Sequence, residues 1–519
     1  MELPRSSGIL LHPTSLPGPD GIGDLGPETF RWLDFLFDCG CQMWQILPLG
    51  PTGYADSPYQ CFSAFAGNPN LISPTVLIDE NLLTLEDLSD RPSFSNEKID
   101  YGLTITWKNK ILDRAFIRFA KLKNKALTNE FSAFIENNHY WLDDFALFMA
   151  IKEKYNNVSW EFWPDPLRKR ITEALEAFKI SHKAIIEKHM FKQFLFFRQW
   201  AQVKKYAETL DIKIIGDIPI FIAYDSSDSW ANPDLFFLDS KLMPTVVAGV
   251  PPDYFSRTGQ LWGNPLYRWS VHQVSGYQWW IERVSAVLSM VDIIRFDHFR
   301  GFEAYWEIPF GNPTAEIGRW VKGPGDELFI YLKKALGELP IIAEDLGLIT
   351  DEVVKLREEF SLPGMKILQF AFADDADDDF LPHNYPVDCF AYTGTHDNNT
   401  SRGWYLAASE REKDFCRRYL SVSGEDISWS LIRSLWQSIA KYVLAPMQDF
   451  LNLDGNARMN LPGSPSGNWN WRMHAYALNN DLLKRIYEMN YLYGRLPYKE
   501  RKRLHEEAEL AQINVVKPH

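Results

Sequence analysis

A chain of 519 residues with 46% hydrophobic and 24% charged side chains can bury one large core and is ordinary for a globular protein. Its net charge of −14 excludes the basic stripe of a nucleic-acid binder and favours a neutral partner, since a polyanion would be repelled. No apolar run is long enough to span a membrane, and the opening Met1-Glu2-Leu3-Pro4-Arg5 carries no signal-peptide core, so a cytoplasmic location is expected.

Short apolar runs ending in polar residues alternate with helical patterns, the mark of parallel α/β architecture. Strands are expected at 8–11, 43–47, 213–217, 291–297, 340–344, 365–370, 389–393 and 443–447, and helices at 29–39, 185–209, 279–290, 326–336 and 350–360. Eight such strands close a ring, so the expected fold is α/β, a (β/α)8 TIM barrel with large insertions between strands. Residues 1–66 carry the first two strands, and the charged, helical stretch 67–182 reads as an insertion. Residues 183–218 supply a barrel helix and the third strand. The stretch 219–273, rich in Pro, Gly and aromatics, reads as a loop-rich insertion beside the cleft, and 274–519 hold strands four to eight and C-terminal helices. Only a loop and helices follow the eighth strand, so no C-terminal β-sandwich domain is expected. The acidic run 374–379 lacks the glycine and terminal glutamate of an EF-hand loop and reads as solvated. The five scattered cysteines (Cys39, Cys41, Cys61, Cys389, Cys416) read as reduced packing residues without a metal framework.

In such a barrel the active site lies at the C-terminal ends of the strands. The fourth strand ends Arg295-Phe296-Asp297-His298, and side chains two apart on a strand share a face, so Arg295 would hold Asp297 ionised. Taken alone, Arg-x-Asp is more often a structural pair. The fifth strand ends in Glu344 after an apolar stretch, a setting that raises a carboxyl pKa and makes a proton donor, although strand ends also supply helix caps. The seventh leads into Gly394-Thr395-His396-Asp397-Asn398, which suits either a clamp on sugar hydroxyls or a cap for the helix before Trp404. Together the three are more informative. Retaining glycosidases need one carboxylate to attack the anomeric carbon and a second carboxyl to protonate the leaving oxygen, and a third anion can stabilise the oxocarbenium-like transition state. The aromatic content, 14% with 19 Trp and 22 Tyr, suits a cleft where flat rings stack on pyranose C–H faces.

These residues carry a resemblance. Arg-x-Asp, Ala343-Glu344-Asp345-Leu346-Gly347 and Thr395-His396-Asp397-Asn398 resemble the α-amylase superfamily and, more narrowly, amylomaltase, the 4-α-glucanotransferases or disproportionating enzymes of glycoside hydrolase family 77. The likeness extends to His12-Pro13-Thr14-Ser15-Leu16-Pro17-Gly18, Gly53-Tyr54-Ala55-Asp56-Ser57-Pro58-Tyr59, Gly216-Asp217-Ile218-Pro219, Gly249-Val250-Pro251-Pro252-Asp253-Tyr254-Phe255, Gly259-Gln260-Leu261-Trp262-Gly263-Asn264-Pro265, Gly455-Asn456-Ala457-Arg458-Met459-Asn460-Leu461-Pro462-Gly463 and Gly467-Asn468-Trp469. The resemblance implies Asp297 as nucleophile, Glu344 as acid/base and Asp397 as transition-state stabiliser. It implies sugar contacts around the scissile bond for Arg295, Asp217, His298 and His396, and a ring beside the donor glucose for Tyr59. It further implies substrate contacts for Ser57 and Asp253. Trp262 and Tyr254 fall in a loop over the cleft, Asn468 in a second loop, and Tyr54 and Tyr101 in a remote stacking site for long glucans. Asn399 stands where the family has Asp, Phe296 replaces a smaller residue and Ser464 replaces Thr.

The implied reaction transfers α-1,4-glucan segments between maltooligosaccharides, starch or glycogen chains through a covalent glucosyl-Asp297 intermediate, with no cofactor, metal, nucleic acid or membrane partner. The residues by themselves do not separate this from an α-amylase-like hydrolase, and a non-catalytic glucan-binding barrel is the reading from a different class. The resemblance favours the transferase.

Overall fold

The computed structural model describes residues 4–252, 256–373, 377–464 and 466–515. In chain order its strands are β1 (Ser6–Leu10), β2 (Met43–Gln45), β3 (Lys213–Pro219), β4 (Val246–Val250), β5 (Gln260–Pro265), β6 (Ile293–Asp297), β7 (Ala304–Pro309), β8 (Arg319–Lys322), β9 (Ile341–Ala343), β10 (Gly364–Ile367), β11 (Cys389–Tyr392) and β12 (Tyr442–Pro446). Eight of them form one parallel sheet in the order β10-β11-β12-β1-β2-β3-β6-β9. At the seam, the Ala343 N–H donates to the Pro363 carbonyl at 2.9 Å and the Met365 N–H to Asp345 Oδ1 at 2.7 Å. The result is a nearly closed (β/α)8 barrel.

Alternation along each strand sorts the side chains into two cores. Met43, Ile215, Ile293, Ile342, Met365, Ile367, Phe390, Tyr392, Tyr442 and Leu444 fill one cluster, the barrel interior. Residues of the opposite parity, such as Ile294 and Phe296, join the larger core beneath the helices, where Phe296 packs on Trp280, Phe302 and Phe329. With Ile293 inside and Phe296 outside, Arg295 and Asp297 share the inner face.

The stretch 67–182 holds the long helices Tyr101–Lys121 and Lys125–Lys154, each started by a side-chain cap: Asp100 accepts from the Leu103 N–H and Asn124 from the Leu127 N–H. Helix Lys125–Lys154 packs on the barrel helix Lys183–Thr209 through an aromatic seam that includes Phe131, Phe194 and Trp141. A short backbone pairing ties this region to the C-terminal loop, with Ile99 N–H donating to Asn470 O at 2.7 Å and Arg472 N–H to Glu97 O at 2.8 Å.

Two expectations need correction. The stretch 219–273 is not built of loops alone: β4 and β5 join β7 and β8 in a four-stranded antiparallel sheet, order β5-β4-β7-β8. The sixth barrel strand stops at Ile367, and residues Leu368–Phe372 turn into a 3-10 helix whose Gln369 amide donates to the Asn399 carbonyl at 2.9 Å.

The bottom of the barrel is fastened by residues from the two ends of the sequence. Arg495 is fully buried without an acidic partner among the described residues; its guanidinium donates instead to the carbonyls of Ser6, Leu435, Trp436, Ser438, Ala440 and Lys441. Arg5 adds bonds to the carbonyls of Trp436, Ser438, Ala440 and Tyr493, and the Ser7 hydroxyl donates to Asn490 Oδ1 at 2.6 Å. No helix among the described residues is long and apolar enough to cross a membrane.

Candidate active site

The strand ladder assembles the site. Asp217 on β3 pairs in register with Arg295 on β6, and Phe296 pairs with Ala343 on β9, so the next residues, Asp297 and Glu344, emerge at one level. One nitrogen of Arg295, Nη1, reaches Asp217 Oδ2 at 2.7 Å and Asp297 Oδ1 at 2.9 Å. The Asp217 side chain is fully buried, whereas that of Asp297 is 27% exposed, so the arginine holds one carboxylate at the base and presents the other to the cleft. Burial raises Asp217 to about 6 despite this pairing.

His298 turns the chain sharply, with φ +51° in the left-handed region. That turn aims its amide at Glu344, whose Oε2 accepts from the His298 N–H at 2.7 Å and whose Oε1 accepts from the Leu346 N–H at 3.0 Å. Burial, opposed by Arg295 and reinforced by Asp297, raises the Glu344 carboxyl to about 7. The next helix, Asp351–Glu359, starts after Thr350, so Glu344 is not a helix cap. The His298 imidazole is buried to a pKa of about 3 and stands edge-on to the Trp262 ring, centroids 4.8 Å apart.

Asp397 does not cap the following helix either; Thr400 does, accepting from the Gly403 N–H at 3.0 Å. Asp397 Oδ2 lies 3.4 Å from His396 Nε2, and Oδ1 accepts from Asn460 Nδ2 at 2.6 Å. Burial pushes this carboxyl up, but His396, Asn460 and Arg295 together hold it below the usual carboxylate range. His396 in turn is raised, Asp397 outweighing the effect of burial. The loop 393–401 is anchored from the short helix Met447–Phe450 that follows β12: buried Asp449 accepts from Thr393 Oγ1 at 2.6 Å and from the Ser401 N–H and Oγ, each at 2.7 Å.

Tyr59 closes this group, donating to Asp217 Oδ2 at 3.0 Å and stacking on His396 with centroids 5.0 Å apart. Ser57 Oγ accepts from the Tyr59 N–H at 3.2 Å and so shapes the turn that delivers the ring. Tyr54 stands 74% exposed on the surface. The Tyr101 hydroxyl instead donates to the Trp469 carbonyl at 2.8 Å. Asn468 is committed within its own loop, accepting from the Leu461 N–H at 3.0 Å and donating to the Ser464 carbonyl at 3.0 Å. Asp253 and Tyr254 lie outside the described residues, as do positions 374–376 of the acidic run.

The family model described as 4-alpha-glucanotransferase matches residues 11–479. The chain belongs to the 4-alpha-glucanotransferase family. It is 52% identical to the 4-alpha-glucanotransferase of Thermus thermophilus, over 91% of this chain and 95% of the relative. It is 43% identical to the chloroplastic/amyloplastic 4-alpha-glucanotransferase of Solanum tuberosum, over 95% of this chain and 87% of the relative. Among solved structures, amylomaltase from Streptococcus agalactiae in complex with acarbose superposes with a TM-score of 0.92 at 39% identity, covering 95% of this chain and all of that one.

Within this 4-alpha-glucanotransferase chain, sequence reasoning passed over Arg458 and Asn460. The Asn460 amide grips Asp397, its N–H donates to the His396 carbonyl at 3.0 Å, and Arg458 bonds the carbonyls of both Asp397 and Asn460. The signal available was their alternation with Ala457, Met459 and Leu461: a polar pair on one face of an otherwise apolar run.

Proposed function

We propose that the chain transfers α-1,4-glucan segments between maltooligosaccharides, or starch and glycogen chains, by a retaining double displacement. Asp297 attacks the anomeric carbon of the donor while Glu344, protonated, gives its proton to the departing glycosidic oxygen. The released chain leaves from the far side of the glucosyl-Asp297 ester. Glu344, now a carboxylate, takes the proton from the 4-hydroxyl of an acceptor glucan as that oxygen attacks the same carbon and frees Asp297. Asp397 and His396 bind hydroxyls of the distorted ring, and Asp397 stabilises the positive charge that develops on it. Arg295 holds the Asp297 carboxylate in place by a hydrogen bond, and Tyr59, Ser57, His298 and Trp262 border the sugar. Tyr54 and Tyr101 with Asn468, Asp253 and Tyr254 serve further along the glucan.

The observation that carries this reading is the division of labour between neighbours at one level of the barrel: Asp297 is bonded to a guanidinium, while Glu344 accepts from two backbone amides and is raised to about 7. A carboxyl raised in this way suits the proton donor, and the Asp297 side chain, held by Arg295 and open to the cleft, suits the nucleophile. We read the enzyme as cytoplasmic, in keeping with five free cysteines.

Incubation with maltotriose tests the reaction: glucose together with a ladder of longer oligosaccharides is expected. Glucose and maltose without longer products would mean hydrolysis, and an unchanged substrate would mean a binder. The pH dependence follows from the raised acid. Because Glu344 must be protonated to help the leaving group, kcat/KM for maltotriose should fall above a midpoint of about 7. A flat profile up to the pH where the fold fails would remove Glu344 as the acid.

A further inference from the structure

Trp469 is a large ring on a backbone that large rings avoid. Its φ is +63°, in the left-handed region, where a bulky residue persists only when its surroundings over-determine it. Here they do. The Trp469 N–H donates to the Met459 carbonyl at 2.7 Å and its own carbonyl accepts from the Tyr101 hydroxyl at 2.8 Å. The ring is buried against Tyr59, centroids 5.8 Å apart, and against His396, 5.9 Å apart, while those two stack on each other at 5.0 Å. Each of the three rings therefore touches both others. Two of them end in site chemistry: Tyr59 on Asp217 and His396 beside Asp397. The base of the same loop grips Asp397 through Asn460. A glycine would take this φ freely, so the tryptophan is held by its ring and its carbonyl, not by the turn.

We propose that Trp469 is a positioning residue for the transfer reaction. Its ring fixes the plane of the His396 imidazole and the place of the Tyr59 phenol, and its carbonyl ties that stack to the helix Tyr101–Lys121. The proposal rests on the roles given above to His396 and Asp397. Without the ring, His396 and Tyr59 lose a common wall, and the His396–Asp397 contact can open without any catalytic group being removed.

Three variants test it. Trp469→Gly removes the ring and relieves the backbone, Trp469→Leu fills space without a flat face, and Trp469→Phe keeps a ring. With maltotriose, kcat per folded molecule is expected to fall roughly 30–100-fold for Gly and Leu and less than about tenfold for Phe, with KM changing less than about threefold. On the acid side the Gly and Leu variants should also lose activity at higher pH than wild type, because an Asp397 released from His396 takes up its proton sooner as pH falls, while Phe should keep the wild-type profile. Should Gly fail to fold, the comparison of Leu with Phe still decides. Equal kcat for Leu and Phe, or losses that match the loss of folded protein with an unmoved pH profile, would overturn the proposal. A wild-type protein that makes the oligosaccharide ladder would leave the main assignment standing in either case.

Discussion

Asp297→Asn is expected to reduce glucan transfer by at least about 10⁴-fold, a loss typical of removing a nucleophile that acts as part of a unit. The amide oxygen of Asn can still accept from Arg295, and Asp217 still pairs with the same guanidinium nitrogen, so the barrel should persist with a melting temperature within a few degrees of wild type. What disappears is an oxygen able to form an ester with the anomeric carbon. Mass spectrometry reads this directly. Wild type treated with a slow α-maltosyl fluoride donor should gain one glycosyl increment on the peptide containing Asp297, and the Asn variant should gain none. A variant that retains activity within 100-fold of wild type, or an increment on another peptide, would dismiss Asp297 as the nucleophile.

Glu344→Gln should cost about 10²–10⁴-fold with a sugar leaving group, the range general acid catalysis supplies. The loss should depend on the donor. Fluoride departs without a proton, so an α-maltosyl fluoride should glycosylate Asp297 in the Gln variant at close to the wild-type rate. The intermediate should then accumulate, since no base remains to activate the acceptor hydroxyl. The fall in kcat/KM above about 7 should vanish with the fluoride donor. Equal losses with fluoride and sugar donors would mean that Glu344 shapes the site and does not move the proton.

Much of this design is legible in the chain because barrel strands are written locally. Ile293-Ile294-Arg295-Phe296-Asp297 shows its apolar run, its terminal charges and the two-residue spacing that places Arg295 beside Asp297, and Ile341-Ile342-Ala343 points to Glu344 in the same way. The antiparallel side sheet is not legible. Gly249 interrupts β4, Gly263 and Pro265 fall in β5, and β8 is a largely exposed strand, so none of the three displays a clean alternation. The contacts that hold Asp397 are hidden for another reason. Asn460 and Asp397 are 63 positions apart, Tyr101 and Trp469 368 apart, and neither pair leaves a periodic trace. Thr400 takes the helix cap that Asp397 was equally suited to, a choice made by the tertiary grip of Asp449 on Thr393 and Ser401.

The fastening of the barrel floor bears on how the molecule comes into being on the ribosome. Arg5 meets the carbonyl of Tyr493 across 488 positions, and β1 finds one of its two neighbours only in β12. At about 5–20 residues per second, synthesis leaves the first strand with an unpaired flank for tens of seconds. During that time its hydrogen-bonding edge is open to wrong partners. The ring can be completed only after β12 has been made, late in synthesis, so yield in cells should depend on protection of nascent edges as well as on the stability of the finished enzyme.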